Sequence, residues 1–232
     1  MKSADYYKKY AAAYVRGAAI QSDSPYLPRP LIEKRLDELS DGELEEIIAA
    51  GDAAGLKLYR FKSTHDDLPR VRRVLGFLKS IEMNSLLDAG SGRGVFLWPC
   101  LNAFPYLEVH SVDMLPRWAE MLNAVRLGGV SNLSAEVGDF CSIALADKTF
   151  DVVTMLEVLE HIPDVSAAIR TALRVARRYV VVTAPSKPDN NPEHIHLLTK
   201  EVLTGLFTNA GCARLHFDAI PGHIFMVAVL EA

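Results

Sequence analysis

The sequence predicts an α/β fold: an open sheet of buried strands, a helical cap over residues 1–80, and an antiparallel pair at the end. Three observations carry that expectation. Residues 1–80 hold no strand pattern, and their apolar residues recur at helical spacing. From Asn84 onward, short and nearly continuous apolar runs alternate with helical stretches, the pattern of a parallel sheet covered on both faces. Near the C-terminus two strand-like runs flank Pro221-Gly222, a pair suited to a hairpin turn.

Tyr6, Tyr7, Tyr10 and Tyr14 lie at helical period along an Ala-rich stretch, either as a lid over a bound ligand or as a packed face. A turn runs from Ser24-Pro25 to Pro30. Helices are expected from about Leu31 to Leu39, after the cap-forming Ser40-Asp41, and from about Leu68 to Lys79. Strands are expected at Ser85–Ala89, Val109–Val112, Phe150–Leu156 and Tyr179–Thr183, with helices at Val95–Ala103, Pro116–Leu127 and Val165–Ala176. Trp98-Pro99 falls inside the first of these, where proline removes a backbone donor and is expected to kink or shorten the helix. A helix from Lys200 to Ala210 precedes the closing runs Ala213–Phe217 and His223–Leu230.

Half of the 232 residues are apolar and 23% are charged, so the chain can bury a real core; disordered and collagen-like classes are excluded. The formal charge is −4 and unevenly placed. Residues 1–80 hold fourteen Lys and Arg against twelve Asp and Glu, whereas residues 81–232 hold eleven against seventeen. That balance argues against dense, nonspecific nucleic-acid binding. Arg60, Lys62, Arg70, Arg72, Arg73 and Lys79 face only Asp66 and Asp67 in their segment, either as a solvated face or as a contact for an anionic group. Cys100, Cys141 and Cys212 have no paired spacing, which excludes a disulfide framework. The opening residues carry no apolar signal core, and no apolar run nears the roughly 18 residues of a membrane helix. A cytoplasmic protein with no membrane partner is the expectation, divided as a cap over 1–80 and a principal domain over 81–232.

The most informative segment is Asp88-Ala89-Gly90-Ser91-Gly92-Arg93-Gly94, between the first strand and a helix. Glycine permits a tight turn and lets a ligand reach main-chain N–H groups, and a helix N-terminus favours anionic groups. The spacing is neither a dinucleotide loop, which would need glycine at Val95, nor a P-loop, which would need Gly-Lys-Ser/Thr. Asp113 closes the second strand, placed to accept from both hydroxyls of a ribose. After the third strand, Asp139 and Phe140 pair an acid with an aromatic face, suited to an adenine.

With Phe150–His161, these motifs resemble the series of the class I S-adenosylmethionine-dependent methyltransferases, over roughly residues 82–230. The resemblance implies a Rossmann-like seven-stranded, mostly parallel sheet with an antiparallel last strand. It also implies S-adenosylmethionine as cofactor. Asp88, Gly90, Ser91, Gly92 and Gly94 would line its methionine end, Asp113 would hold the ribose with Met114 against the adenine, and Asp139 and Phe140 would hold the adenine.

Glu157, Glu160 and His161 stand at i, i+3 and i+4 and would share one side if their turn is helical. A second group, Glu193-His194-Ile195-His196, follows the fifth strand. Two carboxylates and two imidazoles make a mixed set suited to Mg, Mn, Fe, Co or Zn. The turn is similar to that of small-RNA 3′-terminal 2′-O-methyltransferases, in which Glu-x-x-Glu-His and a later histidine bind a divalent ion. His194 matches that histidine by its distance from Thr199, with His196 the alternative, but Leu197-Leu198 replace the aromatic and acidic residues of that pattern. Ubiquinone-biosynthesis O-methyltransferases carry a similar turn. In other members the glutamate faces the cofactor and the histidine shapes the substrate site without a metal. The expected activity is methyl transfer to a hydroxyl of a small molecule, with either a metal at Glu157, Glu160, His161 and His194 or His161 or His194 as general base. The alternatives are an RNA 2′-O-methyltransferase and a cofactor- or partner-binding module without turnover.

Overall fold

The structure, a computed structural model, describes residues 6–23, 26–61, 63–188 and 190–230; for residues 63 and 66 it describes the backbone alone. The start of the expected Ser24-Pro25 turn, Lys62 and the Asp66 side chain therefore lie outside the described residues.

The N-terminal segment is helical: α1 (Tyr6–Gln21), α2 (Arg29–Glu33), α3 (Asp41–Ala53) and α4 (Pro69–Leu78). Ser40 forms a full capping box with Glu43, as expected at α3. The single helix expected over Leu31–Leu39 is instead two pieces. α2 stops at Glu33, Lys34 and Arg35 are extended, and Leu36–Glu38 form one 3₁₀ turn. The cause is tertiary. Arg16 of α1, only 4% exposed, turns its guanidinium onto the carbonyls of Ile32 and Lys34 (2.6 Å to the latter), so the end of α2 bonds to another helix rather than to its own next turn.

The sheet follows with β1 (Ser85–Ala89), β2 (Glu108–Asp113), β3 (Leu133–Val137), β4 (Phe150–Leu156), β5 (Ala176–Pro185), β6 (Leu215–Ile220) and β7 (His223–Val229). Their order is β3-β2-β1-β4-β5-β7-β6, with β1 to β5 parallel and β7 antiparallel to both β5 and β6. This is the seven-stranded, Rossmann-like arrangement expected. The chain winds outward from β1 in both directions, so the carboxyl ends of β1 and β4 form the switch point where ligands of open α/β sheets bind.

Alternate residues of each central strand feed two cores. Leu86, Val109, Val152 and Val181 meet α4, α5 (Leu97–Ala103) and α6 (Pro116–Leu127) on one face; Leu87, Val112, Val153 and Val180 meet α7 (Val165–Val175) and α8 (Lys200–Asn209) on the other. α5 begins at Leu97 rather than Val95. Pro99 then falls in its first turn, where no intrahelical donor is needed, and the helix runs on through it.

The N-terminal tyrosines are a packed face. Tyr6, Tyr7 and Tyr10 are buried in the same core as Val109 and Leu122, and Tyr10 stacks on Trp98 at 5.4 Å. Helix α1 lies directly on α6 through reciprocal glycines: a Cβ on Gly17 would sit 1.8 Å from the Ala124 carbonyl oxygen, and one on Gly128 equally close to that of Ala13. Among the described residues, no helix is long and apolar enough to cross a membrane.

Candidate active site

The loop after β1 is a backbone cradle. Gly90, Gly92 and Gly94 all have positive φ (71°, 52° and 81°), a conformation in which other residues are strained. A Cβ on Gly92 would meet nothing within 4 Å, so its main chain is open to the cleft, whereas one on Gly94 would strike the Trp98 ring at 2.3 Å. Gly94 therefore holds the loop against α5 rather than lining the cleft.

Acids surround this cradle. Asp88 is buried beneath it, with Ser91 Oγ donating to Oδ2 at 2.7 Å and Thr154 Oγ1 to Oδ1 at 2.6 Å; Ser91 Oγ also shares a hydrogen bond with buried Ser111. Burial pushes the Asp88 carboxyl up to about 6, against those two hydroxyls. Asp113 at the end of β2 accepts from Gly92 N–H and Leu115 N–H, both at 2.9 Å, which fixes its carboxylate toward the loop.

Two cavities meet here. One, about 810 Å³, runs past Asp113, Met114, Asp139 and Phe140; the other, about 600 Å³, runs past Asp88, Ser91, Arg70 of α4 and Thr183 of β5. They share Gly90, Gly92, Glu157, His161 and Glu193. Among the described residues none of α1 lines either cavity, so α4 is the part of the N-terminal segment that reaches the cleft.

The acidic–histidine cluster comes together in part. One ligand atom each from Glu160, His161 and His194 lies within 4.8 Å of the others; Glu157 is outside the group. Only Leu159–His161 form a 3₁₀ turn, and Glu157 before it has φ 58°, so the expected common helical face does not form at Glu157. Its Oε2 instead meets His223 Nε2 of β7 at 2.9 Å. Glu157, expected as a metal ligand, is thus corrected to a partner of His223. His196 turns its Nε2 onto the Ile162 carbonyl at 3.1 Å, leaving His194 as the histidine of the cluster, 4.8 Å ring to ring from His161.

Comparison with known proteins bears on this geometry. Residues 87–182 match the family described as a methyltransferase domain. By that match this stretch is a methyltransferase domain. A ubiquinone biosynthesis O-methyltransferase of Neisseria meningitidis serogroup C is 26% identical over 165 residues, 69% of this chain and 68% of that protein. A SAM-dependent methyltransferase from Aquifex aeolicus shares the fold at TM-score 0.57 and 21% identity, over 72% of this chain and 92% of that one. The N-terminal domain of EvdMO1, solved in the presence of SAH and D-fucose, does so at TM-score 0.54 and 16% identity, over 71% and 83%.

Three residues at or behind the cleft carry no local signal in the sequence. His223 is isolated in its own segment, Thr183 reads as an ordinary strand residue, and Glu193 takes part through its carbonyl oxygen, 3.0 Å from His161 Nδ1. Of the basic segment, Arg70 lines the cleft, Arg72 pairs with Asp67, and Arg73 pairs with Asp218 across to β6.

Proposed function

We propose that this methyltransferase moves the methyl group of S-adenosylmethionine to a hydroxyl of a small-molecule acceptor. The observation that carries the proposal is the junction of the two cavities, where His161 and Glu157 border both. On this reading the larger cavity takes the nucleoside. Asp113 accepts from its ribose hydroxyls, Asp139 takes the adenine amino group, and Met114 and Phe140 flank the ring. Ser91 and Asp88 face the methionine tail, whose ammonium suits a buried carboxylate. The smaller cavity takes the acceptor between α4 and the ends of β4 and β5. Relatives named O-methyltransferases support oxygen as the atom methylated.

The chemistry is an in-line displacement. The acceptor oxygen forms a bond to the methyl carbon as the carbon–sulfur bond breaks, and the sulfur keeps the electron pair as a neutral thioether. The chain contributes alignment, worth several orders of magnitude in effective concentration. His161 Nδ1 faces the Glu193 carbonyl, which places the ring proton on Nδ1 and leaves the Nε2 lone pair free to take the acceptor proton.

The donor set of Glu160, His161 and His194 also fits a divalent cation. A carboxylate and two imidazoles are the right chemistry, and the Glu193 carbonyl supplies the outer contact that orients a ligating histidine. Bound there, such an ion supplies Lewis acidity that lowers the acceptor hydroxyl's pKa. The RNA 2′-hydroxyl alternative has less support, because among the described residues of the basic segment only Arg70 borders the cleft.

The test is labelled-methyl transfer by protein stripped with chelator, with and without divalent ions restored. Activity that falls and returns supports the ion. Undiminished activity overturns it and leaves the proton to His161, and full activity in His161→Ala overturns both roles. No labelled product from any hydroxyl-bearing pool overturns the proposed function.

A further inference from the structure

We infer that Glu157 and Thr183 form an acceptor-recognition subsite that takes a second hydroxyl or amine of the acceptor, and that His223 is the positioning residue that aims Glu157 at it. This rests on the hydroxyl-acceptor proposal above and names the kind of acceptor.

The two residues are neighbours at the carboxyl ends of β4 and β5. Leu156 pairs with Thr183 in register, and Glu157 N–H donates to the Thr183 carbonyl at 2.9 Å. Both border the smaller cavity: Thr183 lies on its β5–β7 side, and Glu157 stands where it joins the nucleoside cavity. Glu157 Oε1 and Thr183 Oγ1 are both buried with no hydrogen-bond partner among the described residues. Buried polar groups are nearly always paired, so two adjacent orphans on one cavity wall point to a partner that arrives with the ligand.

His223 explains why Glu157 stands there. Gly222 (φ 80°) turns the chain into β7 and puts His223 opposite Pro185, at the end of β5. Its Nε2 meets Glu157 Oε2 at 2.9 Å, and its Nδ1 lies 3.2 Å from the Pro221 carbonyl. Nδ1 must donate to that carbonyl, so the proton between Nε2 and Oε2 sits on one or the other. In either placement Oε1 remains an acceptor. The positive φ of Glu157 is a cost the fold accepts to aim the carboxylate here rather than at Glu160 and His161.

The subsite therefore calls for a donor. A neutral hydroxyl or amine beside the methylated oxygen satisfies Oε1, and Thr183 Oγ1 can donate to or accept from the same group. A carboxylate or methoxy group there leaves Oε1 unpaired. Val71 and Val74 of α4 and Phe96 supply an apolar wall for the body of the molecule.

The test titrates catechol and phenol, by calorimetry, into the full-length protein saturated with S-adenosylhomocysteine. Catechol offers one hydroxyl for the methyl group and one for the subsite; phenol lacks the second. Catechol is expected to bind about tenfold tighter than phenol, and Glu157→Gln and the isosteric Thr183→Val to remove that preference. His223→Leu should lose the preference too, and His223→Gln, which can still donate to Glu157, should restore part of it. Equal binding of the two probes by the wild type, or an undiminished preference in all variants, overturns the inference. Failure of the wild type to bind S-adenosylhomocysteine at the first titration overturns the cofactor reading as well, so the two failures are told apart.

Discussion

Asp88 is the residue on which burial and charge conflict most directly. It lies 3% exposed under the glycine loop, and burial lifts its carboxyl from an ordinary 3.8 to about 6. A folded-state value above the unfolded one means that the folded chain prefers the neutral acid. Its contribution is fully favourable below about pH 4 and is lost as pH rises through about 6, a difference on the order of 3 kcal/mol. Relative to Asp88→Asn, the wild type should thus lose stability between about pH 4 and pH 7, read as a narrowing gap between urea midpoints. The same ionisation should tighten the cofactor. S-adenosylhomocysteine affinity should rise over that window in the wild type and stay flat in Asp88→Asn, measured by calorimetry at each pH. Equal slopes in both proteins would remove Asp88 from the methionine end. Residues of this kind were legible in the sequence because their chemistry is local: an acid before a glycine loop, an acid closing a strand, an acid beside an aromatic. Glu157 was legible as chemistry and not as direction, since a positive φ at a non-glycine residue leaves no trace in spacing, and its partner His223 is brought in by a hairpin from the far end of the chain.

Among the elements, α1 shows how closely two helices can approach when glycines face each other's backbone. A methyl group on Gly17 would collide with the main chain of Ala124, which cannot yield as a side chain can. Gly17→Ala should cost roughly 3 kcal/mol or more, as overpacking at a rigid contact does. Gly76, exposed in α4, is the contrast, because a Cβ added there would meet nothing within 4 Å: Gly76→Ala should add about 0.5–1 kcal/mol through helix propensity alone. Urea midpoints of the two variants should move in opposite directions. The same contrast divides what the sequence reveals about elements. β1, β4 and α6 have the expected bounds because hydrophobic period, proline at a helix start and glycine after its end all agree. The segment Leu31–Leu39 misleads because its apolar spacing is helical while the deciding contact, Arg16 on two carbonyls, is contributed by a different helix.

At the scale of the whole molecule, the N-terminal segment and the sheet share a core. Tyr6, Tyr7 and Tyr10 are buried among the residues that cover β1 and β2, and α4 is tied to β6 and β7 by Arg73, which pairs with Asp218 at 2.7 Å and lies over the Phe225 ring. A segment that contributes to the sheet's own core cannot leave without exposing it, so the cap and the sheet should unfold as one unit. Calorimetric and van't Hoff enthalpies should agree, and amides of α1 should exchange with the same protection as those of α6. The cleft proposed for the cofactor lies across the carboxyl ends of β1, β2 and β4, inside that unit, so its ligand should stabilise all of it together. At about one hundred times its dissociation constant, S-adenosylhomocysteine should add roughly 2.7 kcal/mol and raise the single melting transition by about 5–10 °C. Two resolved transitions, of which only the later moves with ligand, would show instead that residues before α4 form a separate layer whose tyrosines merely rest on the sheet.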